Sequence, residues 1–257
     1  MPVPAYVAPF VLFANAAIIG AVVGGLNLAL LRAAWPTSRR RRYVIVAAVL
    51  MLAWFGAAFA LSYADVFRGE GDRWPTIQFG ILTPIAIGLL FFLRSSAVWR
   101  VVDVVPQSWW VAIQTYRALG VIFVLLLTAG RLPAQFALPA GWGDIAVGIS
   151  APVVAFAYSR GLGGSTALVR AWNVFGLLDL AVAVGTGFLT SPSPIQALAL
   201  DSPNELISDF PLVLVPVFAV PASVMLHVVS LAKLSRTHAG GENLSVQRAW
   251  SAWERRI

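Results

Sequence analysis

An arginine sits where an apolar stretch should least tolerate it. Gln114 to Gly120 reads QTYRALG and runs into VIFVLLLTAG, so Arg117 lies inside one of the most hydrophobic segments of the chain. A charge near the centre of a bilayer costs at least about 2.5–3.5 kcal/mol, and such a residue faces the bundle interior and takes a partner. Asp179, in WNVFGLLDLAVAVG, is the matching anion. Arg117 lies about eight residues, or about 12 Å, from the basic-flanked end of its run, and Asp179 lies about ten residues, or about 15 Å, from the same end of its own. These depths agree within the reach of an arginine side chain. They predict an Arg117–Asp179 ion pair, with Gln114 on the same helix face one turn away. Such a pair either locks two helices together or lines a polar pathway, and both readings stay open here.

A second polar group follows near residue 227. Ser223, His227 and Ser230 fall at i, i+4 and i+7 and share one helix face. Histidine titrates near neutral pH and could relay protons. Equally, it could be a neutral ring bonded to a nearby carbonyl or to Asn173, which lies at similar depth. Asp144, in PAGWGDIAVG, is expected close to the outer end of its run, too shallow for Arg117 unless the fourth helix tilts. There Gly141 and Gly143 would let the chain turn tightly, and Asp144 would either bond the exposed amides or contact a cation or solute from outside. Gly20 and Gly24 form a GxxxG that, with Asn27, makes a close-packing face suited to a homo-oligomer.

Familiar chemistries are not supported. There is no cysteine, and the two histidines are His227 and His238, so thiolate and histidine-rich metal sites are excluded within one chain. A bis-histidine haem would need two histidines at membrane depth. The single lysine, Lys233, lies at a span boundary, which removes a retinal Schiff base. Ser223 and His227 have no carboxylate placed to orient them as a hydrolase triad. RGLGGST lacks the lysine and spacing of a phosphate loop. No metal and no cofactor is called for.

These side chains must be positioned by membrane helices. The 257 residues are 59% hydrophobic and only 11% charged, against about 45–50% and about 25% in soluble domains. The net charge of +7 is not a nucleic-acid signature, because the basic residues punctuate apolar runs instead of covering a solvated face. A spanning helix needs about 20 mostly apolar residues. Seven segments qualify: Pro9–Leu31, Tyr43–Tyr63, Thr76–Leu93, Trp109–Ala129, Gly141–Tyr158, Val169–Leu189 and Phe210–Leu231, the third and fifth being the shortest. The first is too long for the h-region of a cleaved signal and is read as a retained helix.

Alternate connections differ sharply in charge. Arg32 and Arg39–Arg42, Arg94 and Arg100, Arg160 and Arg170, and five residues from Lys233 to Arg256 fall on one side. Arg68, Arg73 and Arg131 fall on the other. The excess of basic residues marks the cytoplasmic side, so the N-terminus is expected outside and the C-terminus inside. Trp35, Trp74, Trp99, Trp109, Trp110, Trp142 and Trp172 lie near expected span ends, as interfacial anchors should, and Trp54 lies mid-span. Val98, Val101, Val102 and Val105 form a weaker amphipathic stripe before Pro106. In the tail, Val246, Trp250, Trp253 and Ile257 recur at helical spacing among arginines, as in an amphipathic helix lying on the inner leaflet.

The strings QTYRALG, AGWGDIAVG, WNVFGLLDLAVAVG and PLVLVPVFAVPASVMLHVVSL resemble those of uncharacterised bacterial multi-pass membrane proteins, over about residues 105–233. The resemblance implies a membrane bundle and carries no activity, cofactor or substrate. The reading is therefore all-α: a seven-helix transmembrane bundle over residues 1–233 and a cytoplasmic tail over 234–257, in the bacterial inner membrane, with lipid as the surrounding partner and no nucleic acid. Its leading function is non-enzymatic, movement or sensing of a small solute or proton through a polar core of helices four, six and seven: Arg117, Asp179, Gln114, His227, Ser223 and Asn173. The alternative is an assembly subunit whose Arg–Asp pair is structural. An intramembrane enzyme acting on lipid ranks third.

Overall fold

A computed structural model describes residues 3–68 and 74–236. Those residues are helical and contain no strand. Seven helices are long and apolar enough to cross a membrane: Val7–Arg32, Thr37–Tyr63, Ile77–Arg94, Gln107–Thr128, Ala134–Ser159, Ser165–Thr190 and Val215–Arg236. They are called the first to seventh helices below. The stretch Ser96–Val104 forms a separate short helix, capped by Ser95 Oγ, which accepts from the Val98 amide at 3.3 Å. It carries the valine stripe. Val102 and Val105 are buried, and Lys233 donates to the carbonyls of Val102, Asp103 and Val105 at its C-terminal end. The expected tail helix lies outside the described residues, and the seventh helix itself continues to Arg236.

Local sequence sets most helix ends. Pro36, Pro106 and Pro133 each stand immediately before a helix, with extended ψ of 136°, 142° and 144°. A proline there gives up no needed N–H and fixes φ. The fourth and fifth helices end on Gly130 and Gly161 in the left-handed region. After the fourth helix, Gly130 N–H bonds Leu127 O and Arg131 N–H bonds Leu126 O, which satisfies carbonyls that the helix end would otherwise strand.

Three differences from the sequence reading bear on the site. The fifth helix begins at Ala134, not Gly141, and Pro139 lies inside it. Backbone bonds lost at a proline in a membrane helix can be made good by neighbours and local adjustment. Trp142 is consequently well inside the helix instead of at its end. The fourth helix is not uniform: Ile113–Gly120 winds as a 3-10 helix between α-helical halves. A 3-10 run of that length in mid-helix is unusual and marks a hinge or a strained contact. The seventh helix starts at Val215 with a wide π turn, Val215–Ala219, instead of running from Phe210. Pro216, without an N–H, lies inside that turn and Pro221 just beyond it, so the turn accommodates the break that proline forces.

The fifth helix is the central post. It packs along all three segments of the fourth helix on one side and along the sixth on the other. Its contact face is a ladder of small side chains, including Ala137, Ala140, Gly141, Gly148 and Ala151, all buried. Small residues allow backbones to close in where lipid offers no hydrophobic drive for helix pairing. The first and second helices lean on this assembly from outside. Ile18 and Trp54 pack against Phe218, with the Trp54 and Phe218 rings 4.5 Å apart.

Candidate functional site

The site grows from the 3-10 segment of the fourth helix. Arg117 is 3% exposed and its guanidinium is engaged through all three nitrogens. Nε donates to Asp144 Oδ1 at 2.7 Å. Nη2 lies 2.6 Å from the same oxygen and also donates to Asp179 Oδ2. Nη1 donates to the Gly176 carbonyl at 3.2 Å and to His227 Nε2 at 3.3 Å. Arginine has no acceptor to offer. His227 Nε2 must therefore accept, which leaves the ring proton on Nδ1. Nδ1 then donates to Asn173 Oδ1 at 2.9 Å.

The network continues along the seventh helix. Asn173 Nδ2 donates to Ser230 Oγ at 3.0 Å, and Gln107 Nε2 donates to the same hydroxyl at 2.8 Å. Gln114 lies one turn from Arg117 and turns to the seventh helix, donating to the Ser223 carbonyl at 3.1 Å. Ser223 Oγ donates to Ala219 O and accepts from the Tyr116 hydroxyl at 2.5 Å. Gln114, Arg117, Asn173, Ser223, His227 and Ser230 are all buried. Asp179 is brought to Arg117, as the matched depths expect.

Asp144 departs from the expectation. It neither caps a helix nor faces outward; it meets Arg117. Because the helix starts at Ala134, Asp144 lies ten residues inside it, about 15 Å from its end. It therefore reaches the level of Arg117 without any tilt of the fourth helix. Gly141 and Gly143 are likewise interior helical positions.

Glycine makes the cluster possible. A Cβ on Gly143 would fall on the Asp179 carboxylate, and one on Gly176 would strike the His227 ring. The fifth and sixth helices thus approach closely enough for both carboxylates to share one guanidinium. Gly148 lies directly against the backbone of Ala118, next to Arg117 in the 3-10 stretch. Gly20 and Gly24, by contrast, have nothing within 4 Å of where a Cβ would stand, and Asn27 is exposed. The GxxxG face meets no partner among the described residues.

Charge and space complete the arrangement. Among the groups that meet at Arg117, two carboxylates face one guanidinium and a neutral imidazole, so the cluster carries one excess negative charge by count. Two adjoining cavities reach it. One, of about 60 Å³, runs from Phe67, Pro75 and Pro192 at one end of the bundle down to Asp144. The other, of about 50 Å³, lies deeper among the first, fourth and seventh helices and touches Asn15, Tyr116, Arg117, Asp144 and Ser223. Phe123, Asp144, Leu180, Val215 and Val220 border both. From Arg117 the His227–Asn173–Ser230–Gln107 chain of hydrogen bonds leads away through buried side chains.

Sequence reasoning missed Asn15, Tyr116 and Gln107. Asn15 and Gln107 are polar side chains in or at the start of apolar runs, which was an available signal. Tyr116 had none, because its neighbour on the seventh helix is set by packing alone. No group of three or more His, Cys, Asp or Glu that could hold a metal occurs among the described residues.

A family model described as Domain of unknown function (DUF8737) matches residues 74–235, well over half of the chain, and the protein belongs to that family. No curated protein and no solved structure matches the chain. The matched region holds the third to seventh helices and therefore every residue bonded to Arg117.

Proposed function

We propose, starting from that family membership, that the chain is a multi-pass protein of the bacterial cell membrane that takes up a proton or small solute at Arg117, Asp144 and Asp179. The excess of basic residues beside one set of helix ends supports an N-terminus outside and a C-terminus in the cytoplasm. In that orientation the cavity mouth at Phe67, Pro75 and Pro192 faces outward, and the His227–Asn173–Ser230–Gln107 chain seals the cytoplasmic half.

A single observation carries the reading: Arg117 faces two carboxylates where one would balance it. An unbalanced charge in apolar surroundings costs several kcal/mol unless it is neutralised. A mobile positive partner at Asp144, a proton or a cationic solute, supplies that neutralisation, and the cavities give it a route. Passage further inward requires the amide-locked chain below Arg117 to open, so this arrangement is an outward-accessible, inward-closed state.

The second reading is a structural lock, and the full engagement of the guanidinium favours it. Charge movement in proteoliposomes after a rapid pH or solute jump separates the two. In the first reading the wild-type protein gives a transient current that Asp144→Asn removes. The apolar replacement Arg117→Met, Asp144→Leu, Asp179→Leu would also be silent while remaining folded. A silent wild-type protein, or a current that survives the apolar replacement, would leave the lock as the better account.

A further inference from the structure

The deeper cavity has a polarity that narrows the class of ligand. Asn15 is 1% exposed and lines it. Its amide nitrogen turns back to the Val11 carbonyl at 2.8 Å, and its Oδ1 has no hydrogen-bond partner. A buried acceptor left unmade costs about 1–3 kcal/mol. Asp144 places Oδ1 on Arg117, and among the described residues no group donates to its Oδ2. The hydroxyl hydrogens of Tyr116 and Ser223 are both spent, one on Ser223 Oγ and the other on the Ala219 carbonyl, leaving only lone pairs. The guanidinium nitrogens are engaged as well. Apart from the second N–H of the Asn15 amide, the cavity thus offers acceptors, beside a cluster one positive charge short.

The rest of the lining is hydrocarbon: Phe10, Val11, Ile18, Phe123, Leu180 and Val215. The adjoining outer cavity is walled by apolar side chains such as Ile81, Phe136 and Val184. A divalent metal ion would need about six or more oxygen ligands, which this wall does not provide. A nitrogen carrying several N–H groups and a short apolar chain matches both halves. Resting on the reading of the cluster as a binding centre, we propose that the two cavities together take a primary alkylammonium ion. Its nitrogen sits among Asp144 Oδ2, Asn15 Oδ1 and the Tyr116–Ser223 pair, and its hydrocarbon passes Leu180 into the outer cavity. Asn15 comes from the first helix, outside the region matched by the family model, so the first helix supplies specificity to a core built by the others.

The test uses the full chain in lipid nanodiscs, titrated calorimetrically with hexylammonium chloride, 1-hexanol and sodium chloride. Hexylammonium should bind one per chain, and hexanol at least about tenfold more weakly, since it lacks the charge. Asn15→Leu should weaken hexylammonium about tenfold without lowering the thermal midpoint of the ligand-free protein. Should Asn15→Leu fail to fold, Leu180→Phe provides the second arm: it should exclude hexylammonium while still admitting methylammonium. Equal binding of hexanol would show that the cavities select apolar bulk alone. Competition by sodium would assign the acceptors to a metal ion. Undiminished binding in both variants would place the amine elsewhere, and each of these results overturns the proposal. Charge movement that persists when no amine binds would sink this inference alone. Loss of both would remove the reading on which it rests.

Discussion

The second and seventh helices teach opposite lessons about what a membrane helix is for. The second holds the most apolar membrane-length stretch of the seven, yet of its residues only Ala58 and Ser62 are buried. The seventh is less apolar, carries Ser223, His227 and Ser230, and has more than half of its most apolar window buried. In water the more hydrophobic helix would be the inner one. In lipid, hydrocarbon side chains gain nothing by turning inward, and polar groups must find partners, so burial follows hydrogen-bonding need. The same contrast runs through the helix contacts. The fourth, fifth and sixth helices meet through glycines and a shared guanidinium, whereas the second touches the rest through side-chain tips such as Trp54 on Phe218.

The largest expected effect lies at the charged centre. Arg117→Ala leaves Asp144 and Asp179 unpaired and should destabilise the protein by about 3–5 kcal/mol. Leu50→Ala, on the lipid-facing second helix, should stay within about 0.5 kcal/mol. Thermal midpoints in mild detergent compare them, and equal effects would erase the distinction between the two regions. Next in size is Gly143→Ala, whose Cβ meets the Asp179 carboxylate; overpacking of this kind costs about 1–3 kcal/mol. Gly24→Ala, with open space around it, should be neutral on the same assay, and a penalty there would reveal a partner on the GxxxG face.

Trp54→Ala sharpens the comparison from the other side. The ring contact with Phe218 is worth about 0.5–1.5 kcal/mol, so the variant should loosen the second helix. Faster hydrogen exchange confined to Thr37–Tyr63 would report it. The smallest effect concerns Asp209, outside the spans and paired with Arg68 at 3.4 Å. Burial raises its carboxyl above the ordinary value, and Arg68 offsets this only in part. A raised carboxyl means that the folded state retains a proton the unfolded chain has released. Stability should therefore fall slightly as pH rises from the ordinary carboxylate value through the raised one. Asp209→Asn should flatten that slope in the thermal midpoint measured against pH.

Much of the polar core could be read from helix depth. Arg117 and Asp179 were matched by counting residues from span ends, and they meet. The same count placed Asn173 level with His227, and the two are hydrogen-bonded. The count failed for Asp144 because it began at the wrong residue. The expected run starts at Gly141, whereas the helix begins at Ala134, and a shift of seven residues displaces a side chain by about 10 Å. Asn15 escaped for a different reason. Its polarity within an apolar run was a signal, but the cavity it lines is walled by the fourth, fifth, sixth and seventh helices, and nothing in a single run shows which neighbours that run will have.

The amino-acid sequence alone determined the solvent of this protein and the number of its spans. Transfer into hydrocarbon is a sum over residues, and that sum depends only on which residues stand in a row. It also determined that Arg117 must find an anion, since isolation in lipid is too costly whatever the fold. Only the tertiary structure decided that the anion would be two carboxylates instead of one, that Gly143 and Gly176 would let the helices close on them, and that an unpaired amide oxygen would face a cavity beside the spare charge. Those outcomes depend on distances between helices, which small residues and backbone geometry set pairwise and which no property of one segment contains.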